Sequence, residues 1–372
     1  MAKNLSIFSF FAGSGLLDLG FEDNGYNIVF VNEFCEAFLS AYKFVREKNN
    51  YQQPKYGYSN NSIEDYLSNG NNTTLLRQQL KKERKLDNLT GFIGGPPCPD
   101  FSVGGKNKGK NGDNGKLTGT YFNLICELEP DFFVFENVKG LWKTKKHRDF
   151  YEEMKKKVIT RDYITTEQLV NSIEFGVPQD RDRIILFGIK KKLLTEKDAI
   201  DNFDWNKNKK YNKDNVFKIK WPVTNKFKEQ IPFPKNIINE LTVSHWFSIN
   251  EVGNHYNTGD QFMPRAGLSK FESIDEGDVS KKSYKRLHRY RYSPTAAYGN
   301  NEVHIHPTEP RRLNVAEALA IQSLPKYFCL PDNMTLTDKF KTVGNGVPYL
   351  LAKGISRSIS TFFNDYAKGV LV

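Results

Sequence analysis

The sequence predicts an α/β fold built on a mostly parallel sheet with helices on both faces. Up to about residue 190, short apolar runs alternate with segments of helical periodicity, as in consecutive strand and helix units. A glycine-rich turn follows the first apolar run and opens a helix. From residue 191 to about 291 the alternation stops, and the composition becomes rich in Lys and Asn with scattered Trp and Pro. We therefore expect a large sheet domain and a smaller, irregular domain.

Five apolar runs are expected to form strands, at residues 7–10, 28–31, 92–93, 132–135 and 184–187. Helical spacing of apolar residues predicts a helix over residues 34–45 and another near 75–84. Asn314 with Glu317 three residues later indicates a capped helix start. A last helix is expected to pack back onto the sheet through one apolar stripe, formed by Leu351, Ile355, Ile359, Phe362 and Phe363. The large domain is predicted to comprise residues 1–190 and 340–372, and the smaller domain with its return hinge residues 191–339.

Composition narrows the class of protein. The 372 residues hold 54 Lys and Arg against 43 Asp and Glu, a net charge of +11, which favours a polyanionic partner such as nucleic acid. Charge alone fits a solvated lysine-rich surface equally well. The four cysteines, Cys35, Cys98, Cys126 and Cys329, show no C-x-x-C spacing, so a reduced compartment is expected and no metal site is spelled out.

The first twenty residues are interpreted as part of the mature fold. Lys3 and the apolar stretch 5–12 resemble a signal peptide, but the stretch is short and is interrupted by Gly13-Ser14-Gly15. No run of about eighteen apolar residues occurs, so no membrane span and a cytoplasmic location are expected.

The turn Phe11-Ala12-Gly13-Ser14-Gly15 lets the backbone approach a ligand at a helix N-terminus. Glu33 ends the second predicted strand, where a carboxylate accepts hydrogen bonds from two ribose hydroxyls. Phe34 beside it is suited to stack on an adenine. The turn alone is a weak signal, because a strand–helix turn without a ligand has the same pattern. Its pairing with Glu33 favours a nucleoside cofactor.

A cysteine and a glutamate end two consecutive predicted strands. Gly94-Gly95-Pro96-Pro97-Cys98-Pro99 closes the run 91–93, and Glu136 follows the run 132–135. Both side chains are expected at the mouth of the sheet, a nucleophile beside an acid. Cys98 as a buried small hydrophobe and Glu136 as an ordinary strand-terminal acid are the alternatives.

Cationic residues flank these two. Lys106 and Lys108 belong to a Gly/Asn/Lys segment after Cys98, expected to be a loop whose charge lowers the pKa of a thiol. Arg181 and Arg183 precede the strand 184–187 and are expected on one face, where two guanidinium groups hold a phosphate and a base carbonyl. A ladder of ion pairs with Asp180 and Asp182 is the alternative.

Taken together, these motifs resemble the C5-cytosine DNA methyltransferase family. The matching blocks occur in the family's order and span residues 7–352; they are Phe11 to Gly15, Asn32-Glu33, Pro96-Pro97-Cys98, Glu136-Asn137-Val138, 179–183, 311–325 and 344–348. The resemblance implies a Rossmann-like sheet that binds S-adenosyl-L-methionine and a target-recognition domain in the irregular segment.

The resemblance also implies roles. Cys98 would add to C6 of a cytosine flipped out of double-stranded DNA, and Glu136 would hydrogen-bond N3 and the exocyclic amine. Arg183, with Arg181, would hold the base carbonyl and flanking phosphate. The residues implied for the cofactor are Phe11, Ala12, Gly13, Ser14, Gly15, Asn32, Glu33, Phe34, Ile63, Pro96 and Asn345; those expected to contact DNA are Lys106, Lys108, Arg289 and Arg291.

A monomer in the bacterial cytoplasm, associated with the nucleoid, is expected, either solitary or paired with a restriction endonuclease. Three positions depart from the family pattern. Pro99 replaces the usual glutamine, Leu16 replaces a glycine, and the acid that holds the adenine amine has no clean match near Ile63.

Other classes share part of this pattern. A tRNA cytosine methyltransferase of the same family has nearly every block, but the recognition segment of about a hundred residues is longer than such a relative needs. A dinucleotide-dependent oxidoreductase would explain the glycine turn and Glu33 but neither Cys98 nor Glu136. A catalytically inactive DNA-binding regulator is disfavoured by the intact Cys98 and Glu136, and an amino-directed methyltransferase by the absence of its Pro-Pro-aromatic tetrad.

Overall fold

The computed structural model describes residues 4–67, 70–97, 113–196, 198–264, 268–281, 283–296, 298 and 302–367. The strands are β1 (Leu5–Phe10), β2 (Asn27–Asn32), β3 (Tyr58–Ser59), β4 (Leu89–Gly94), β5 (Phe132–Val138), β6 (Tyr163–Asn171), β7 (Gln179–Asp180), β8 (Asp182–Lys190) and β9 (Ser293–Pro294). The helices are α1 (Leu16–Glu22), α2 (Glu36–Lys48), α3 (Asn71–Lys85), α4 (Asp113–Leu128), α5 (Lys139–Lys143), α6 (Lys145–Ile159), α7 (Lys213–Lys218), α8 (Val243–Ile249), α9 (Leu268–Glu272), α10 (Val315–Ile321), α11 (Leu336–Asn345) and α12 (Tyr349–Tyr366).

Seven strands form the main sheet in the order β3-β2-β1-β4-β5-β8-β6. The first five strands in this order, β3, β2, β1, β4 and β5, pair in parallel. Strand β8 is antiparallel to both of its neighbours. The predicted α/β fold and all five predicted strands are confirmed. β6 was not predicted because it lies at the sheet edge and is only half-buried, so its sequence carries no continuous apolar run.

Helices cover both faces of the sheet. One apolar core joins the strands to α1, α2 and α12, and the other joins them to α3, α4 and α6. The apolar stripe of α12 contacts the sheet as expected, since the Phe363 ring lies 5.0 Å from the ring of Phe132. Aromatic packing is equally close on the other face, where the Phe122 and Phe135 rings are 5.0 Å apart.

The later part of the chain forms a third apolar core that packs against α1 and α2. Its helix α10 begins at the predicted capping box: Glu317 N donates to Asn314 Oδ1 at 2.9 Å, and Asn314 N donates to Glu317 Oε2 at 2.9 Å. Five apolar residues after β8 are buried in the core on one face of the main sheet: Leu194, Ala199, Ile200, Phe203 and Trp205. The proposed domain division stays a prediction, and contact with the sheet continues past residue 190.

Among the residues described, no helix combines the length and the apolar composition that crossing a bilayer requires.

Candidate active site

The carboxyl ends of four parallel strands meet at one edge of the sheet. Phe10 is in register with Asn32 and with Gly94, and Gly94 with Phe135. The order of strands along the chain reverses between β1 and β4, which is where open α/β sheets bind ligands. The motifs that follow β1, β2, β4 and β5 therefore border one cleft.

The glycine turn has the backbone shape that its sequence indicates. Gly13 and Gly15 have φ values of 57° and 89°, a region that side chains with a Cβ rarely adopt. A Cβ at Gly15 would lie 2.8 Å from the Tyr42 ring. These constraints favour glycine at positions 13 and 15, directly before α1, where a ligand can approach the backbone.

Glu33 lies against this turn. Gly13 N donates to Glu33 Oε2 and Cys35 N donates to Glu33 Oε1, each at 2.8 Å. Burial raises the pKa of Glu33, while these two backbone N–H groups and the charge of Lys341 act to lower it. Each carboxylate oxygen accepts one of these backbone N–H groups and has a further lone pair with which it can accept from a ribose hydroxyl.

Phe34 next to Glu33 is 71% exposed, which leaves its ring free to stack on a planar group. Asn32 instead holds the neighbouring loop, because its Nδ2 donates to Asn61 O at 2.9 Å. The Ile63 side chain is buried in the core at the start of a short 3₁₀ turn. Asn32 and Ile63 thus shape the loop beside the cleft, and Phe34 presents an open surface.

The C-terminal segment reaches the glycine turn through α11. Asn345, the residue predicted from the sequence, is exposed at the end of this helix. The contact itself is made by Thr342, whose Oγ1 lies 2.7 Å from Ser14 Oγ in a buried hydrogen bond. Neither Thr342 nor Lys341 was predicted, since they lie more than 300 residues from the turn and belong to no recognised ligand pattern.

The buried acid Asp18 links the segments that flank the glycine turn. Asp18 in α1 accepts hydrogen bonds from Ser9 Oγ at 2.8 Å and Tyr42 Oη at 2.7 Å. Burial raises the pKa of Asp18 to about 6. Because the pKa of Asp18 in the folded state is above that of the unfolded chain, the contribution of this group to folding stability is fully present below about pH 4 and is lost as pH rises through about 6.

Asp18→Asn is therefore expected to increase the free energy of unfolding at pH 8 by about 2 kcal/mol, since it removes the buried charge and retains an acceptor for Tyr42. The gain should shrink as pH is lowered toward 5. Urea unfolding of both proteins at the two pH values measures it. A variant less stable than the parent at pH 8 would contradict this account.

Glu136 and Arg183 form the chemical centre of the described cleft. Arg183 Nε lies 2.8 Å from Glu136 Oε1, and both side chains are about nine-tenths buried. Oε1 is itself buried and has no aligned hydrogen-bond donor among the residues described, so its contact with Arg183 is an ion pair. Burial raises the pKa of Glu136, and the charge of Arg183 opposes that rise. The carboxyl group is thereby held ready to exchange a proton or a hydrogen bond with a ligand.

Gly95 fixes where this carboxylate sits. A Cβ on Gly95 would lie 2.7 Å from Glu136 Oε2, closer than real Cβ contacts allow. The neighbouring Pro96 is buried, and its carbonyl accepts from Asn137 Nδ2 at 3.4 Å. Gly95 and Pro96 are therefore packed directly against the segment of β5 that carries Glu136.

Gly95→Ala is expected to lower kcat by about 10- to 100-fold, because the added methyl group displaces the flexible end of Glu136. The melting temperature should change little, since a side-chain tip can move without disturbing the core. Activity assays and thermal unfolding test the two effects together. Gly259→Ala is the matched control because nothing lies within 4 Å of its added Cβ; equal kcat values for the two variants would refute the prediction.

Arg181 makes contacts different from those of Arg183. Its side chain is completely buried, and its guanidinium donates to Ala296 O at 3.2 Å and to Gly344 O at 2.9 Å. Burial and the charge of Arg183 lower the pKa of this guanidinium. Asp180 and Asp182 do not pair with either arginine; Asp182 pairs with Lys139 and Lys213 instead.

Four other residues expected at the site have different outcomes. Cys98, Lys106 and Lys108 lie outside the described residues. Arg289 binds the buried carboxylate of Glu276 through Nε at 2.9 Å and Nη2 at 2.6 Å, so in the structure its guanidinium stabilises the packing within the irregular segment. The spacing of Glu276 and Arg289 along the sequence does not predict this ion pair.

Arg291 is half-buried and donates to Pro222 O at 3.3 Å. Its guanidinium also lies 5.1 Å from the centroid of the Tyr292 ring. One face of the group is therefore engaged by the protein, and the partial exposure leaves room for a further contact.

Comparison with known proteins agrees with this geometry. The chain is 54% identical over 364 residues to the type II methyltransferase M.NmeDI of Neisseria meningitidis serogroup C, spanning 98% of this chain and 85% of that protein. It is 28% identical over 374 residues to the type II methyltransferase M.FnuDI of Fusobacterium nucleatum, spanning 98% and 96%. A solved structure from an E. coli prophage, a candidate DNA modification methyltransferase, has the same fold, with a TM-score of 0.64, 21% identity, and coverage of 97% of this chain and 100% of that chain.

The family profile of C-5 cytosine-specific DNA methylases matches residues 5–361, nearly the whole length. The match includes the glycine turn, Glu136 and Arg183, and it excludes the oxidoreductase interpretation. The chain therefore belongs to the C-5 cytosine-specific DNA methylase family and is a DNA (cytosine-5-)-methyltransferase.

Proposed function

We propose that the enzyme transfers a methyl group from S-adenosyl-L-methionine to C5 of a flipped-out cytosine within a specific double-stranded DNA sequence. We further propose that it is the modification enzyme of a type II restriction–modification system in the bacterial cytoplasm. The observation that carries the chemistry is the buried ion pair between the Glu136 carboxyl group, near the carboxyl end of β5, and Arg183. The relationship to M.NmeDI supports DNA as the substrate and the type II system.

S-adenosyl-L-methionine fits the residues on the other side of the cleft. The glycines of the turn adopt positive φ and Gly15 has no room for a side chain, Glu33 has acceptor capacity for a ribose, and exposed Phe34 offers a ring for the adenine. Asn32, Ile63, Pro96 and Asn345 would complete the surroundings. When bound, this cofactor supplies the methyl group that C5 takes up.

Cytosine C5 is a poor nucleophile, so the ring must be activated by addition at C6. The Cys98 thiolate would form a bond to C6, moving the electrons of the C5–C6 double bond toward C5. Glu136 would hydrogen-bond N3 and the exocyclic amine and stabilise the charge that develops on the ring. After C5 is methylated, loss of its proton restores the double bond and expels the Cys98 sulfur.

Arg183 would hold the base carbonyl, because its guanidinium lies beside Glu136 at the start of β8. A stacked duplex keeps C6 away from any side chain, so the base must leave the helix at a cost of about a few kcal/mol. Lys106 and Lys108 would contact the backbone near the flipped base.

The irregular segment would read the DNA sequence. Arg291 remains a candidate contact there, and an exposed cationic strip at residues 217–235 adds further candidates. In this strip Phe233 is 49% exposed and packs on Tyr290, with Lys226 and Lys228 exposed nearby. Exposed apolar side chains can contact the methyl groups of thymine, and lysines beside them can contact the flanking phosphates.

Bisulfite sequencing of plasmid DNA from cells that express the protein tests the proposal and identifies the recognition site. Protected cytosines within one recurring sequence are expected. Random protection would remove the sequence-specific part of the proposal. Unprotected DNA with methylated tRNA would favour the RNA-directed alternative.

A further inference from the structure

Arg181 joins three segments that are far apart in the chain. Its Nη1 donates to Ala296 O at 3.2 Å, and its Nη2 donates to Gly344 O at 2.9 Å and to Gly346 O at 3.1 Å. These acceptors lie 115 to 165 residues from Arg181. One buried guanidinium therefore links the catalytic edge to the end of the recognition segment and to the turn between α11 and α12.

Two buried glutamines extend this link. Gln179 Oε1 accepts from Ala296 N at 3.1 Å, and Gln179 Nε2 donates to Gln322 Oε1 at 3.3 Å. Gln322 Nε2 donates in turn to the carbonyl of Val343. β7 and β9 add backbone pairing between Gln179 and Ser293. We call Gln179, Arg181 and Gln322 with these partners the polar hub.

The hub uses a cation where stability alone does not require one. No carboxylate accepts a hydrogen bond from Arg181 in the described residues; its N–H groups donate to neutral oxygens, and the charge of Glu136 acts on it only through space. An isolated buried charge is costly compared with an apolar side chain of similar volume. What the guanidinium offers is a rigid fork of donors that fixes several carbonyl groups at defined positions.

The hub is directly continuous with the reacting groups. Arg183 lies two residues beyond Arg181 and pairs with Glu136. The other end of the hub, at Ala296, closes the segment proposed to read DNA. A shift of that segment would therefore move Arg181, and Arg183 would move with it because the two are only two positions apart in the chain.

We propose that Arg181 is a positioning residue which couples the seating of DNA on the recognition segment to the placement of Arg183 and Glu136, and that it contacts no DNA phosphate. This inference rests on the proposed DNA-directed function. It replaces the role in phosphate or base binding that the sequence pattern implied for Arg181.

Arg286 provides a matched comparison. It too is completely buried and donates to main-chain carbonyls, Ile274 O and Glu309 O among them, each at 2.8 Å. Its hydrogen-bond acceptors in the described part of the chain all lie between residues 271 and 309, away from the catalytic edge. Arg286→Met thus removes a similar set of hydrogen bonds to main-chain carbonyls, and none of them involves the catalytic edge.

The test compares Arg181→Met, Arg181→Lys and Arg286→Met with the parent enzyme at a temperature where all are folded. For Arg181→Met we expect kcat to fall by about 30-fold or more with the KM for DNA changed less than threefold. Arg181→Lys should recover part of kcat. Arg286→Met should retain kcat and affect the KM for DNA or the melting temperature.

The salt dependence of DNA affinity separates the two roles of Arg181. Loss of a phosphate contact lowers the slope of log affinity against log salt by about 0.9, whereas loss of a hub leaves the slope unchanged. Amide hydrogen exchange should also accelerate around residues 293–296 and 343–346 in Arg181→Met, a readout independent of activity. A reduced slope, unaltered exchange, or equal kcat losses in Arg181→Met and Arg286→Met would overturn the inference. Absence of DNA methylation by the parent enzyme would instead refute the proposed function.

Discussion

Cys98→Ala is expected to abolish methyl transfer while leaving affinity for duplex DNA within a few-fold of the parent. In the proposed mechanism the Cys98 thiolate adds to C6, and the methyl side chain of alanine cannot form that bond. The effect should reach the detection limit of tritiated methyl incorporation, since C5 without prior activation is not nucleophilic. Gel-shift titration of the same protein measures the retained DNA affinity.

Cys126→Ala is the matched control for this substitution. Cys126 in α4 is half-buried, and burial raises the pKa of its thiol, so it is poorly suited to act as a nucleophile. It should keep full activity. Residual methylation by Cys98→Ala near the parental rate would refute the covalent scheme.

An oligonucleotide that carries 5-fluorocytosine provides a direct test of the bond. Fluorine at C5 cannot leave as a proton does, so the sulfur cannot be expelled after methylation. A stable protein–DNA adduct is expected with the parent enzyme in the presence of the methyl donor. No adduct should form with Cys98→Ala, and peptide mapping should place the parental cross-link at that residue.

Glu136→Gln is expected to reduce kcat by about 10²- to 10⁴-fold with a smaller effect on DNA affinity. The amide preserves the size that Gly95 and Arg183 require but supplies neither the negative charge nor the exchangeable proton of the acid. Single-turnover methylation at saturating DNA isolates the chemical step. A loss smaller than about tenfold would assign Glu136 a supporting role.

The pH profile adds a second test of Glu136. Burial raises the pKa of its carboxyl group, so the protonated form extends to higher pH than for an exposed glutamate. If that form donates to N3, kcat of the parent should fall as pH rises through this pKa. This falling limb of the kcat–pH profile should disappear in Glu136→Gln. A limb that persists in the variant would belong to another group.

Glu83→Gln controls for the general effect of neutralising a buried acid. Glu83 is 1% exposed and accepts from Ser6 Oγ at 2.7 Å, near the amino end of β1 and away from the cleft. Its partners lower the pKa of its carboxyl group to about 2, so the variant should lose stability. Its kcat should stay at the parental value.

The strands at the centre of the sheet were predictable because they are buried on both faces. Such strands consist of nearly continuous apolar runs, and the runs at residues 132–135 and 184–187 are examples. The edge strand β6 shows the limit of this rule, since a half-buried strand mixes polar and apolar residues. Short strands such as β7 and β9 exist only because two distant segments meet, so they carry no local signal.

The site divides in the same way. The nature of the acid, the glycine turn and the stacking ring could be predicted from residue type and position relative to strand ends. The contact between Thr342 and Ser14, the pair between Arg289 and Glu276, and the closeness of Gly95 to Glu136 could not. Each depends on where side chains meet after folding.

By itself, the sequence determined the chemistry available to this protein, because the order of the motifs and the residue types at the strand ends are local properties. The tertiary structure decided which of those groups bind main-chain atoms of distant segments and which face other side chains of the site. Arg181 and Arg183 differ by two positions and share one motif, yet the first binds main-chain carbonyls and the second faces Glu136. Packing between segments more than a hundred residues apart sets those partners, and no local propensity encodes it.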